Sequence, residues 1–151
     1  MFRFRIYPTK SQESKINTIL EECRWLYNHL LEQRKAVYEQ TGKGLSLYDQ
    51  HATLPNLKDE HPSLKNVHSQ VLQNVGVRID LAYKAFFRRV KAGEKPGYPR
   101  FRGEGRYDSF CYPQYPSGCS LKDEAIYLSK IGEVKLLQHR PIEGKPKTVC
   151  V

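Results

Sequence analysis

The chain lacks the features that would make it a membrane protein, a metalloprotein or a familiar hydrolase. No apolar run approaches the roughly 20 residues needed to span a bilayer. Its first residues, Met1-Phe-Arg-Phe-Arg-Ile-Tyr-Pro8, alternate apolar and basic groups and lack the apolar block of a signal peptide. No membrane partner is expected, and the expected location is the cytoplasm, associated with the nucleoid. None of the four cysteines, Cys23, Cys111, Cys119 and Cys150, forms a C-x-x-C pair, and a zinc site usually needs two close ligand pairs. No His separates Cys111 from Cys119, and both are expected to be reduced packing residues; a disulfide framework is not expected without an export signal. His51, His61 and His68 also lack metal-ligand spacing. No G-x-S-x-G, P-loop or H-E-x-x-H motif is present, and Asp49, Asp59, Glu60 and Asp80 do not form a spaced set of metal-binding carboxylates. No catalytic residue, metal or cofactor is therefore expected. Apolar residues make up only 39% of the 151 residues, which implies a modest core and a large surface.

Acidic residues are also few: 16 Asp and Glu face 25 Lys and Arg, for a net charge of +9. That balance favours a polyanion as partner, RNA or DNA ahead of an anionic membrane. The excess is concentrated. Residues 81–106 carry 8 basic and 2 acidic groups, whereas residues 45–80 carry 3 and 4. Aromatic residues interrupt this basic stretch at Phe86, Phe87, Tyr98 and Phe101, which sets it apart from a disordered basic tail. Guanidinium groups bind phosphate bidentately, and ammonium groups supply point charge. The tract therefore offers Lys84, Arg88, Arg89, Lys91, Lys95, Arg100 and Arg102 for a nucleic-acid backbone. Tyr98 is placed equally well for stacking on a base or for packing, whereas Phe86 and Phe101 are expected in the core. Arg3 and Arg5 add charge on one face of the first strand, where an ordinary half-exposed strand is the simpler reading.

Hydrophobic spacing places a strand at residues 2–7, with Phe2, Phe4 and Ile6 on one face. Thr9-Lys-Ser-Gln12 is a capping-box pattern opening a helix that runs to about Gln40, where Gly42 and Gly44 stop it. Pro55 and Pro62 leave a short helix near Tyr48–Leu54 and a loop. A second long helix is expected from about Ser63 to Lys91, with Val67, Leu72, Val75, Ile79, Ala82, Phe86 and Val90 as its apolar stripe. Gly93, Pro96, Gly97 and Pro99 mark a rigid basic loop. Short strands are expected at 108–112, 125–128, 132–136 and 148–151. The first strand should pair with the late ones. This gives an α+β layout in which helices interrupt a small β-domain.

At these residues the chain resembles the TnpB (OrfB) proteins, which are transposon-encoded. The resemblance is carried by Phe4-Arg-Ile-Tyr-Pro-Thr9, Cys23-Arg-Trp-Leu-Tyr-Asn28, Ser69-Gln-Val-Leu-Gln73, Lys91-Ala-Gly-Glu-Lys-Pro-Gly-Tyr-Pro-Arg-Phe101, Leu128–Lys135 and His139–Gly144. It spans nearly the whole chain, with the motifs in order. It implies an RNA-guided DNA endonuclease family similar to type V CRISPR effectors. The implied fold is a small oligonucleotide-binding-like barrel, the wedge, interrupted by a helical recognition insertion. Residues 1–8 would then be the first wedge strand, 9–104 the insertion and 105–151 the remaining wedge strands. The implied partners are a guide RNA derived from the transposon end and double-stranded DNA, with a separately encoded transposase in the same element as a further one. The positions matching the family's DNA-motif readers are Leu47, His51, Ser69, Gln70 and Gln73. Gln suits base-edge reading because its amide both donates and accepts, while Leu47 cannot hydrogen-bond by its side chain and His51 departs from the small polar residue of the pattern. The family's catalytic carboxylates and Cys-rich zinc insert lie beyond Val151, and the barrel is expected to be incomplete. The chain alone is expected to bind without cutting. Two alternatives remain open: it is part of a split or partially recorded endonuclease, or it is a remnant of transposon decay.

Overall fold

A computed structural model describes residues 1–151. The elements are β1 (Arg5–Tyr7), α1 (Lys10–Thr41), α2 (Leu47–Glu60), a 3-10 turn (Pro62–Asn66), α3 (Ser69–Lys91), β2 (Cys111–Tyr112), β3 (Cys119–Lys122), β4 (Ala125–Leu128), β5 (Gly132–Leu137) and β6 (Val149–Cys150). This is the expected α+β layout. A four-stranded antiparallel sheet runs in the order β1-β5-β4-β3, and β2 pairs with β6 in a second sheet; neither closes into a barrel. The first strand does pair with a late one, Arg5 opposite Leu137 and Tyr7 opposite Lys135.

Local chemistry explains α1. The Thr9 hydroxyl accepts from the Gln12 amide at 3.2 Å, and the Gln12 side chain accepts from the Thr9 amide at 3.0 Å. A cap of this kind contributes about 1 kcal/mol. The Gln12 side-chain amide also donates to the Glu133 carbonyl at 2.7 Å, which ties the start of the helix to β5. Gly42, at φ 68°, takes the left-handed conformation that closes the helix. Between these caps Ile19, Cys23, Leu26, Tyr27, Leu30 and Leu31 bury one face.

The second helix is longer than the prolines suggest. It continues through Pro55 to Glu60. Pro55 is exposed, and buried Leu54 and Leu57 anchor the turns on either side of it. The third helix, in contrast, starts at Ser69 rather than Ser63. Pro62 opens a 3-10 turn, and the His68 ring caps α3 by accepting from the Gln70 amide at 3.3 Å.

Leu72, Val75 and Ile79 of α3 are buried as expected, and Val71 and Tyr83 join them. Phe86 is only half-buried, Val90 is 49% exposed and Phe101 is 49% exposed, contrary to their expected core positions. The buried face of α1 ends at Arg34 and that of α3 at Tyr83. Residues beyond those points have run past the packed interface.

A strand the sequence pattern missed, β3, pairs with β4 along its whole length, Cys119 opposite Leu128 through Lys122 opposite Ala125. The cysteine expectation also needs correcting. Cys23 and Cys119 are free and buried, but Cys111 and Cys150 form a disulfide. The flanking pair Phe110 and Val151 exchanges both backbone hydrogen bonds, so Cys111 and Cys150 occupy the adjacent pair without such bonds, where antiparallel strands come closest. Their Cα atoms are 4.1 Å apart. Helices and sheets share one continuous core of 24 buried residues, from Ile19 and Leu72 to Tyr112 and Val134.

Candidate nucleic-acid interface

The basic tract starts on α3 and continues in the loop that follows it. The loop is tied back onto α1. Asn28 accepts from the Arg102 amide at 2.8 Å and donates to the Arg102 carbonyl at 2.9 Å, so one side chain completes both backbone groups of one residue. Arg24 adds a second bond to that carbonyl at 3.3 Å. The Arg102 guanidinium lies over the Tyr27 ring, 5.6 Å from its centroid. Buried Pro99 holds the middle of the loop.

An aromatic cluster fills the space between loop and helices. The Tyr83 and Tyr98 hydroxyls are 3.0 Å apart, and Tyr98 meets Phe86 edge-on with centroids 5.2 Å apart. Phe87 lies against Phe86 at 5.3 Å. The Lys35 ammonium, from α1, sits 5.2 Å from the Tyr98 centroid and 4.5 Å from that of Phe101. Burial, reinforced by the Tyr98 hydrogen bond, raises the Tyr83 hydroxyl above the ordinary phenol range, so it stays neutral. Tyr98 thus packs and remains available at once, with 44% of its surface exposed.

The cations differ in their partners, and Arg102, over the Tyr27 ring, forms no ion pair. Lys84 is paired with Asp80 at 2.8 Å, and Asp80 also takes the Arg34 guanidinium at 3.2 Å. Burial alone would raise the Asp80 carboxyl, but hydrogen bonds and charge from Lys84 and Arg34 hold it below the usual carboxylate range. Arg88, Arg89, Lys91, Lys95 and Arg100 are exposed, and none of the six ion pairs of the molecule involves them. These groups keep their charge for a partner. Arg5 is exposed on the edge strand β1, where it lies over Tyr7; Arg3 is exposed in the segment before β1, which starts at Arg5 rather than at residue 2, and no hydrogen bond or ring stacking links either to the tract.

The structure brings most of the other candidate set together at the junction of α2 and α3. His51 Nε2 is 2.9 Å from the Gln73 carbonyl. A Cβ at Gly76 would lie 3.1 Å from His51 and 3.2 Å from Leu47, so the absent side chain is what lets α2 approach this closely. Ser69, one turn before Gln73 on α3, accepts from Lys58 at 2.9 Å. Gln70 is turned away from this group, toward Gln114 beyond β2 at 2.9 Å.

Sequence reasoning missed the contribution of α1 to the tract. Arg24, Asn28 and Lys35 recur at helical spacing beside the apolar stripe, and that polar row was the available signal. No group of three or more His, Cys, Asp or Glu residues is arranged to hold a metal ion. No helix is long and apolar enough to cross a membrane.

A row of unpaired cations on the end of α3 and on a loop that α1 clamps in place, beside exposed rings, is an arrangement that fits a nucleic-acid backbone. Comparison with known proteins agrees. A family model described as a helix-turn-helix domain, that of the OrfB proteins of IS605, matches residues 1–43, which form β1, α1 and the start of the turn to α2. The chain is 31% identical over 154 residues to InsQ of Escherichia coli (strain K12), whose name describes an RNA-guided DNA endonuclease. That alignment takes in 99% of this chain and 36% of InsQ, so the chain spans about a third of the length of the relative it matches. The resemblance to the TnpB (OrfB) family read from the sequence is borne out.

Proposed function

We propose that this chain is the part of a TnpB-type protein that holds a guide RNA from the transposon end and reads a short DNA motif beside it, and that it does so without cutting. In this reading residues 1–8 and 105–151 are the wedge and residues 9–104 the recognition insertion. The observation that carries the reading is the set of five unpaired cations, Arg88, Arg89, Lys91, Lys95 and Arg100, presented on one clamped helix–loop unit. Phosphate is the ligand such a set fits. Ser69 and Gln73, one helical turn apart and exposed, are the motif-reading groups best placed to meet base edges. Leu47 and His51 set the spacing of α2 against α3, and Gln70 supports the sheet side. Cutting would belong to the remainder of a protein of the length of InsQ, supplied in the same chain or separately.

Binding to RNA transcribed from the transposon end and to unrelated RNA, measured across a salt series, tests this. Affinity is expected to fall steeply with salt and to favour the cognate RNA. Replacing Arg88, Arg89, Lys91 and Lys95 with Ala should flatten the slope of log K against log salt by roughly 0.7 for each phosphate no longer neutralised. Binding that ignores salt would rule the reading out.

A further inference from the structure

The unpaired cations share the end of α3 and its following loop with rings that the fold leaves uncovered. Phe87 is 55% exposed, Tyr98 44% and Phe101 49%. Phe87 connects to Tyr98 through Phe86, and the Lys35 ammonium connects Tyr98 to Phe101. They form one contiguous patch rather than scattered surface residues, and contiguous exposed apolar surface marks an interaction site.

We propose that Phe87, Tyr98 and Phe101 form a stacking platform for unpaired nucleotides, so that this end of the helical block holds single-stranded nucleic acid rather than duplex. The proposal rests on the nucleic-acid reading above and specifies which form of the polymer binds here. Bases in a duplex have their faces covered by their neighbours, whereas unpaired bases offer a face to any ring. The charge around the patch selects the class of partner. The two acids of residues 81–106, Glu94 and Glu104, form no ion pair with the surrounding cations. A protein partner would have to neutralise five cations while covering the rings; a strand of phosphates and bases does both along its length. The loop backbone is also open to such a strand, because a Cβ at Gly93 or Gly97 would meet nothing within 4 Å. Lys35 holds Tyr98 and Phe101 in one unit and contributes charge at the point where phosphate and base would diverge.

Three ligands separate the possibilities: a short oligouridylate, the duplex it forms with oligoadenylate, and heparin, which carries charge without bases. Phe87→Leu and Phe101→Leu keep apolar surface at exposed positions, and circular dichroism confirms that each variant folds. Each is expected to weaken oligouridylate binding by roughly tenfold, the worth of one stacked base. The salt slope, duplex binding and heparin binding should not change, and Phe87→Trp or Phe101→Trp should keep full affinity. If the Leu variants bind oligouridylate like the parent while Arg88→Ala and Arg89→Ala still weaken it, the platform is wrong and the electrostatic grip stands. Equal losses on heparin would mean that the rings only hold the loop, which also overturns the platform. So would loss of a self-associated form in sedimentation with oligouridylate affinity unchanged, because the patch would then be a protein contact. If the parent chain binds none of the three ligands, the platform and the nucleic-acid reading fall together.

Discussion

Asn28 shows how much a single side chain can fix. Its amide satisfies both the N–H and the carbonyl of Arg102, a residue 74 positions away, and so decides where the basic loop lies against α1. Asn28→Ala should leave the helix intact and cost about 1 kcal/mol of overall stability. Its larger effect should be local: faster amide exchange at residues 100–103 and weaker RNA binding with an unchanged far-UV spectrum. Full protection of the loop in the variant would show that Pro99 and the aromatic cluster suffice. Cys23 illustrates the opposite kind of residue. Burial pushes its thiol up to about 12, with Arg78 opposing only in part, so it stays protonated and fills space.

His68 acts on a whole element. Its ring caps α3, lies 5.7 Å from Tyr112 and covers Gly118, where a Cβ would come within 2.7 Å of Nε2. Capping requires Nδ1 to accept, so the ring must be neutral. Burial first, then Lys130 and Lys58, lowers its proton affinity below the ordinary imidazole value of 6.5. The unfolded chain therefore binds the proton more readily than the folded one. Stability from this group is complete above 6.5 and declines as pH falls from there toward the lowered folded value. The first turn of α3 should lose amide protection between neutral and mildly acid pH, and His68→Asn, which keeps a capping acceptor, should remove that dependence. Unchanged pH sensitivity in the variant would place its origin elsewhere. The same element scale explains the misjudged helix limits. Pro55 reads as a breaker from its neighbours, yet burial of Leu54 and Leu57 decides otherwise. Pro62 opens the 3-10 turn, and His68, its ring lying on Gly118, caps the helix that follows.

Across the whole molecule, the polar network around Arg34 joins all three helices. Arg34, 8% exposed, bonds Asp80 of α3 at 3.2 Å and Gln50 of α2 at 2.7 Å, and Gln50 returns to the Leu30 carbonyl of α1 at 2.8 Å. Removing Asp80 would leave that guanidinium without its carboxylate inside the fold. Asp80→Asn should cost about 3 kcal/mol in chemical denaturation, the scale for breaking a buried pair. Because the folded carboxyl is held low, its contribution is complete above the ordinary carboxylate range and is lost as pH falls through the folded value. Acid unfolding of the parent should therefore be steeper than that of the variant; parallel acid profiles would contradict the role given to Asp80.

The charge excess in residues 81–106, the Thr9 cap of α1, its stop at Gly42 and the alternation of Phe4, Arg5 and Ile6 could all be read from the chain, because each is decided within one or two turns of it. The family likeness was legible for the same reason: it is carried by short runs of residues. Other features were decided by residues far apart in sequence. Tertiary packing alone placed Asn28 and Lys35 at the basic loop, left Phe101 outside the core and joined Cys111 to Cys150 across paired strands. It also left Phe86 half-buried, because helical periodicity tells which face of α3 is apolar but not how far along that face α1 and the sheets extend to cover it.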